Sequence, residues 1–156
     1  MDRSLIEKYA AGAPLLAKSI AGLSRDDFLA TPVPNTWSIA QITLHLMDSD
    51  LIASDRMKRV IAEENPAIIG YNETAFSQKL FYEKLDPFLA ADIFQKNREM
   101  TAVILRNLPD AAFSRVGTHN ERGRVSLADF VNTYVEHLEH HLKFIRHKRQ
   151  LLGKPL

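Results

Sequence analysis

The sequence predicts an all-α protein, a four-helix bundle with a helical or irregular insertion between its second and third long helices. Three observations predict it. Apolar residues recur at intervals of three and four through four stretches long enough to be bundle helices. Gly and Pro, 6 and 7 of 156 residues, are scarcer than in average chains, so turns are few and elements long. No repeated alternation of apolar and polar residues marks a series of strands. One domain covering residues 1–156 is expected, since a chain of this length forms a sizeable core without covalent staples.

Each element follows from local chemistry. Leu5, Ile6, Tyr9, Ala13, Leu16 and Ile20 share one face of a first helix, bent near Pro14. Ser24 with Asp27 forms a capping box for a short helical turn, and Thr31 to Thr36, with Pro32, Pro34 and Asn35, is a connecting loop. A second capping box, Ser38 with Gln41, opens a long helix whose stripe runs through Ile39, Ile42, Leu46, Ala53, Met57 and Val60 until Asn65 and Pro66 stop it. Residues 66–85 contain Tyr71, Phe76, Leu80, Phe81 and Tyr82 and are expected to pack over the bundle as one or two helical turns. Asp86 before Pro87 is an N-cap with proline at the first helical position, opening a helix that Pro109 ends. Asp110 to Arg124 reads as a loop with room for a short hairpin. Ser126 with Asp129 caps the last helix, which runs to about Leu152 before Gly153 and Pro155.

Composition removes several classes of function. With no cysteine, disulfide frameworks, Cys-ligated zinc or iron–sulfur centres and a cysteine nucleophile are excluded, and any metal must rest on His, Asp or Glu. Lys plus Arg total 20 against 19 for Asp plus Glu, a balance that gives no reason to expect nucleic acid or an acidic membrane as partner. The basic run Lys143, Arg146, Lys148, Arg149 and Lys154 reads as cations complementing a helix C-terminus rather than a nucleic-acid patch. No apolar run reaches membrane-spanning length, and Tyr9 to Ala17, interrupted by Gly12 and Pro14, reads as mature helix; the cytoplasm is the expected location.

The last helix carries the chemistry. At about 100° per residue, Phe130, Tyr134, Leu138, Ile145 and Leu152 define its apolar stripe. His141 lies within that stripe, His137 at its edge, and His140 outside it beside Glu136, Lys143 and His147. Two histidines at i and i+4 can grip one ion. A third ligand must come from another helix, and His45, on the edge of the second helix's stripe near Ser49, is the candidate. Three imidazoles leave a coordination position open, which is catalytic rather than structural, and all-nitrogen ligation suits zinc or nickel. The alternative for each is a hydrogen-bonded core histidine, and His119 reads as an exposed loop residue.

Several motifs carry a family resemblance. Pro34-Asn35-Thr36-Trp37-Ser38-Ile39 with His45, Leu46, Asp48 and Ser49, then Tyr71-Asn72-Glu73-Thr74-Ala75-Phe76, then His119 through Ser126 to Tyr134, His137 and His141, resemble in order and spacing the DinB-like proteins, especially their YfiT-like branch. The resemblance implies a four-helix bundle, one divalent ion, nickel or zinc, on His45, His137 and His141, a substrate contact at Tyr71, and a homodimer. Asn72 and Phe76 depart from the Asp and Trp that relatives often carry. It also implies a small-molecule substrate: members are thiol transferases or isomerases using low-molecular-weight thiols, or metal-dependent hydrolases.

The leading expectation is therefore a metal-dependent enzyme transferring a low-molecular-weight thiol to a small electrophile. The alternatives are hydrolysis with water activated by the same ion, and a non-catalytic metal-binding stress-response module. The catalytic acid or base is not identified by the sequence. Leu44 and Leu51, seven apart and off the main stripe, are either a partner surface for a second copy or residues covered by the segment 66–85.

Overall fold

The computed structural model describes residues 3–156. Three helices at the front, α1 (Ser4–Ala11), α2 (Leu15–Ile20) and α3 (Arg25–Leu29), precede the long α4 (Ile39–Ala62). Then come β1 (Ala67–Ile68), α5 (Glu73–Lys79), a 3₁₀ turn at Tyr82–Lys84 and α6 (Pro87–Asn107). A second 3₁₀ turn at Asp110–Ser114, the strands β2 (Val116–His119) and β3 (Gly123–Ser126), and α7 (Leu127–Leu151) complete the chain. The four-helix bundle consists of α1 with α2 as one broken leg, then α4, α6 and α7.

The expected caps form. Ser24, Ser38 and Ser126 each accept from the backbone three residues on, and Asp27, Gln41 and Asp129 each return the bond, so two amide donors per helix start are satisfied. Asp86 caps α6 with Pro87 in its first turn. The first helix is broken rather than bent: α1 stops at Gly12, and Pro14 starts α2. A Cβ on Gly12 would lie 2.7 Å from Arg98 Nη1 and 2.9 Å from Leu138 Cδ2, so the break occurs where the chain passes close to two other legs.

The loop expected between α6 and α7 is part of a three-stranded sheet. β2 and β3 form the hairpin, and β1 adds in parallel to β2, with Ala67 opposite Thr118 and Ile68 opposite His119. β2 presses so closely on its neighbours that a Cβ at Gly117 would meet Ile68 Cγ1 at 2.9 Å. This pairing corrects the reading of His119, which is 5% exposed rather than an open loop residue. Its Nδ1 accepts from the Glu121 amide.

Two apolar clusters fill the bundle. One gathers Ile6, Met57, Val60, Leu105, Phe113 and Phe130 near the sheet; the other gathers Leu16, Ile20, Phe28, Ile39, Phe94, Leu142 and Ile145 at the far end. Between them Asp50 and Arg98, each 1% exposed, form an ion pair at 2.7 Å. Two of the basic residues in the last turn of α7 also bond to other elements. Lys148 Nζ donates to Thr36 Oγ1, and Arg149 donates to the Ser19 and Ala21 carbonyls at the end of α2, so both are buried bridging residues. Leu44 is buried against Tyr82 and Ala90, which selects cover by the 66–85 segment for that leucine, while Leu51 stays 39% exposed. Among the described residues no helix is long and apolar enough to cross a membrane.

Candidate metal centre

α4 and α7 pack along their length, and their facing turns bring His45, His137 and His141 together. One nitrogen from each ring lies within 4.8 Å of the others, and Nε2 of His45 stands 3.0 Å from Nε2 of His137. The rings meet edge to face, with centroids 4.6 to 5.0 Å apart. This is the arrangement expected from the i, i+4 spacing on α7 and the stripe-edge position on α4. His140 is exposed, as its phase requires. His147 is exposed too, whereas His119 sits across the neighbouring cleft.

The trio is electrically prepared for a cation rather than for protons. Burial, with the neighbouring His141, pushes His45 down to about 3; burial, with His141 and His45, does the same for His137; His141 falls to about 4, from burial and His140. All three imidazoles are neutral at pH 7 and keep their lone pairs. The buried Nδ1 atoms of His45 and His141 have no hydrogen-bond partner, so no protein group fixes which nitrogen of either ring carries the proton. A 3.0 Å N···N contact can be one N–H···N bond, which serves two rings and leaves the third unsatisfied. Three converging neutral nitrogens with no carboxylate among them fit a divalent ion of the zinc or nickel kind and do not suit calcium or magnesium, which take oxygen.

A polar cleft of about 190 Å³ opens on the His137 side. Ser49 and Arg56 line it from α4, Tyr134 and Thr133 from α7, Tyr71 and Glu73 from the segment after β1, and His119, Glu121 and Arg122 from the hairpin. Tyr71 shares this cavity with His137, and its ring packs against that of Phe76 with centroids 4.8 Å apart. Its hydroxyl is buried beside Ser49 without closing a hydrogen bond within 3.5 Å, and burial raises its pKa to about 12. Asn72 caps α5 by accepting from the Ala75 amide, a task an Asp side chain also performs.

Arg56, Glu121 and Arg122 are charged residues of this cleft that the sequence reading missed, and Arg56 is the one that ties two of its walls together. Its Nη1 donates to the Tyr134 hydroxyl oxygen at 2.9 Å and its Nη2 to the Ile69 carbonyl. The signal was present in the spacing: Ser49 and Arg56 follow His45 at four and eleven residues, on one face of α4. Tyr134 lies one turn before His137 in the same way. Because Arg56 supplies the donor, the Tyr134 proton is free to point to another acceptor.

Comparison with known proteins agrees with this fold. A family profile described as the DinB superfamily matches residues 10–145. A Bacillus subtilis protein named "Putative metal-dependent hydrolase YfiT" is 29% identical over 142 residues, covering 90% of this chain and 80% of its own. An Oceanobacillus iheyensis protein that also carries the name "Putative metal-dependent hydrolase" is 28% identical, covering 84% of this chain and 76% of its own. Among solved structures, YfiT from Bacillus subtilis, described as having an unusual four-helix bundle topology, superposes with a TM-score of 0.90 at 24% identity, over 96% of this chain and 86% of that one. A mycothiol-dependent maleylpyruvate isomerase shares the fold at a TM-score of 0.71 and 12% identity, over 90% of this chain and 59% of that one.

Proposed function

The chain belongs to the DinB superfamily, and on that premise we propose that it is a metal-dependent enzyme that transfers a low-molecular-weight thiol to a small electrophile, with His45, His137 and His141 holding one divalent ion, nickel or zinc. The observation that carries this reading is the convergence of three neutral imidazoles, His45 buried and His137 and His141 half-buried, with one nitrogen of each within 4.8 Å of the others. When bound, such an ion keeps a coordinating thiol deprotonated at neutral pH, which supplies a nucleophile to a chain that has no cysteine.

The chain's own residues do the binding. Tyr71 stays protonated at neutral pH and donates into the cleft, as does the Tyr134 hydroxyl once Arg56 occupies its oxygen. Arg56 and Arg122 face Glu73 and Glu121 across the same space, which suits a thiol bearing charged groups of both signs. The mycothiol-dependent neighbour supports a thiol as the nucleophile. Hydrolysis is the second reading, favoured by the names of the relatives; it would use water where the thiol is placed here. A homodimer belongs to the same reading, with Leu51 as the leucine left for it, and light scattering should then give about twice the 17.7 kDa of one chain.

The test is an assay of metal-loaded protein with a pool of small thiols and chlorodinitrobenzene, run beside ester and amide substrates. In the expected reaction a sulfur–carbon bond forms, the carbon–chlorine bond breaks, and chloride and the thiol proton are released. Conjugation that needs the ion supports the proposal, and hydrolysis alone selects the second reading. Protein-dependent conjugation and hydrolysis that both persist after complete metal removal, above the uncatalysed rates, overturn both.

A further inference from the structure

The trio has a second face. A pocket of about 290 Å³ opens against His141, walled by Val33 and Trp37 from the loop before α4, Ile42 from its first turns, and Phe144 from α7. The Trp37 ring lies 5.0 Å from the His45 ring, and the Phe144 ring 6.2 Å from that of His141. His141 is thus both a member of the trio and a wall of the pocket, as His137 is for the polar cleft.

The two openings differ in chemistry. Nearly all the surface lining the His141 pocket is carbon. Lys148, the one buried cation at its rim, is 3% exposed and turns its ammonium to Thr36 Oγ1 at 2.6 Å, so it offers the pocket its stem. No carboxylate lines this side, whereas the His137 cleft carries two guanidinium and two carboxyl groups. The volume lies near the lower end of the roughly 300–1,000 Å³ of small-molecule sites, enough for one substituted ring. Two aromatic walls favour a flat occupant that can stack or meet them edge-on.

We propose that this pocket binds the uncharged aromatic or branched aliphatic portion of the electrophilic substrate, so that the polar and apolar reactants reach the trio past different histidines. The role as a substrate pocket rests on the thiol-transfer reading above; the binding of an apolar ring does not. Charged electrophiles are disfavoured because the lining shows them almost no polar atom, the Lys148 ammonium being turned to Thr36 and His147 lying on the exposed rim.

Trp37 is the chain's single tryptophan and reports on the pocket directly. Titration of the full chain with dinitrobenzene, an uncharged and unreactive nitroaromatic quencher, should give saturable quenching of Trp37. Dinitrobenzoate, the same ring with a negative charge, should bind at least tenfold more weakly to the unaltered protein. Phe144→Asp, at a position 45% exposed, and Val33→Asp should each weaken dinitrobenzene at least tenfold while leaving nickel affinity in place. Non-saturating quenching, equal affinity for the benzoate, or undiminished affinity in a folded variant overturns the assignment. Nickel titration of the same sample separates the two claims: failure of nickel to bind while dinitrobenzene saturates overturns the metal reading and leaves the apolar pocket standing.

Discussion

Two polar clusters lie within two turns of one another along α4, one shared with α6 and the other with α7, and they are opposites. Asp50 of α4 receives Arg98 Nε at 2.7 Å and Asn97 Nδ2 at 2.8 Å, and Arg98 Nη2 goes on to the Tyr134 carbonyl of α7. The guanidinium also lies 4.5 Å from the Tyr9 ring and 4.7 Å from that of Phe94. Charge is balanced there, and the carboxylate is fully used. At the histidine trio, with His45 five residues before Asp50 on α4 and His137 three after Tyr134 on α7, charge is suppressed by burial and two nitrogens have no partner. Arg98 Nη1 is left without a partner, yet the opposite charges meet inside the chain and tie its elements together. Three neutral nitrogens that converge with no charge to balance are instead arranged for a cation that comes from outside.

The contrast can be broken at either end. The largest effect is expected from Arg98→Ala, which strands a buried carboxylate and should cost about 3–5 kcal/mol in urea unfolding, with metal or without. Replacing Asp50 and Arg98 together with Leu and Met should recover much of that loss, because no uncompensated charge remains. If Arg98→Ala costs under about 1 kcal/mol, the pair is not the brace described.

The trio should behave in the reverse sense. Added nickel or zinc at about 100 times its dissociation constant should stabilise the chain by roughly 2.7 kcal/mol. His137→Gln should abolish that gain while leaving metal-free stability far less affected than Arg98→Ala does. A variant that retains the full metal-dependent gain shows that His137 is not a ligand.

In metal-free protein the sign of the pH dependence follows from the depressed imidazoles. Their folded pKa values, about 3 for His45 and His137 and about 4 for His141, lie below the roughly 6.5 of an unfolded histidine. The folded state binds fewer protons, so this stabilisation is complete above pH 6.5 or so and is lost as pH falls towards the folded values. Unfolding midpoints measured with a chelator present should decline between about pH 6.5 and 4.5, above the range of the carboxylates. His119, lowered mainly by burial, adds to the same slope, and His141→Leu should flatten it. A flat profile in the unaltered protein contradicts the assignment.

Much of this was legible in the sequence where the physics is local. Capping boxes act over three residues and the histidine pair over four, so Ser38, Ser126, His137 and His141 announce themselves. Arg98 was visible in principle, since it interrupts the inward stripe of Ala91, Phe94, Ala102 and Leu105, but its partner lies on another helix. The β1–β2 pairing is a two-residue match between distant segments, too short for alternation to mark, and it is what buries His119. Lys148 and Arg149 were hidden for the same reason: the carbonyls of α2 and the Thr36 hydroxyl become their partners only once the bundle closes.

The smallest expected effect checks the helical phase. His140→Ala, on the exposed face, should change stability by less than about 0.5 kcal/mol and leave metal binding in place. Loss of metal equal to that in His141→Ala would put the inward face of α7 elsewhere.

The most direct test of the central claim is elemental analysis of protein prepared without a metal-affinity column, loaded with nickel or zinc and washed free of unbound ion. The account predicts about one ion per chain, falling to none in His45→Ala, whose changed residue comes from a different helix than the other two. A chain that retains no ion, or a His45→Ala variant that retains it in full, contradicts a three-histidine centre.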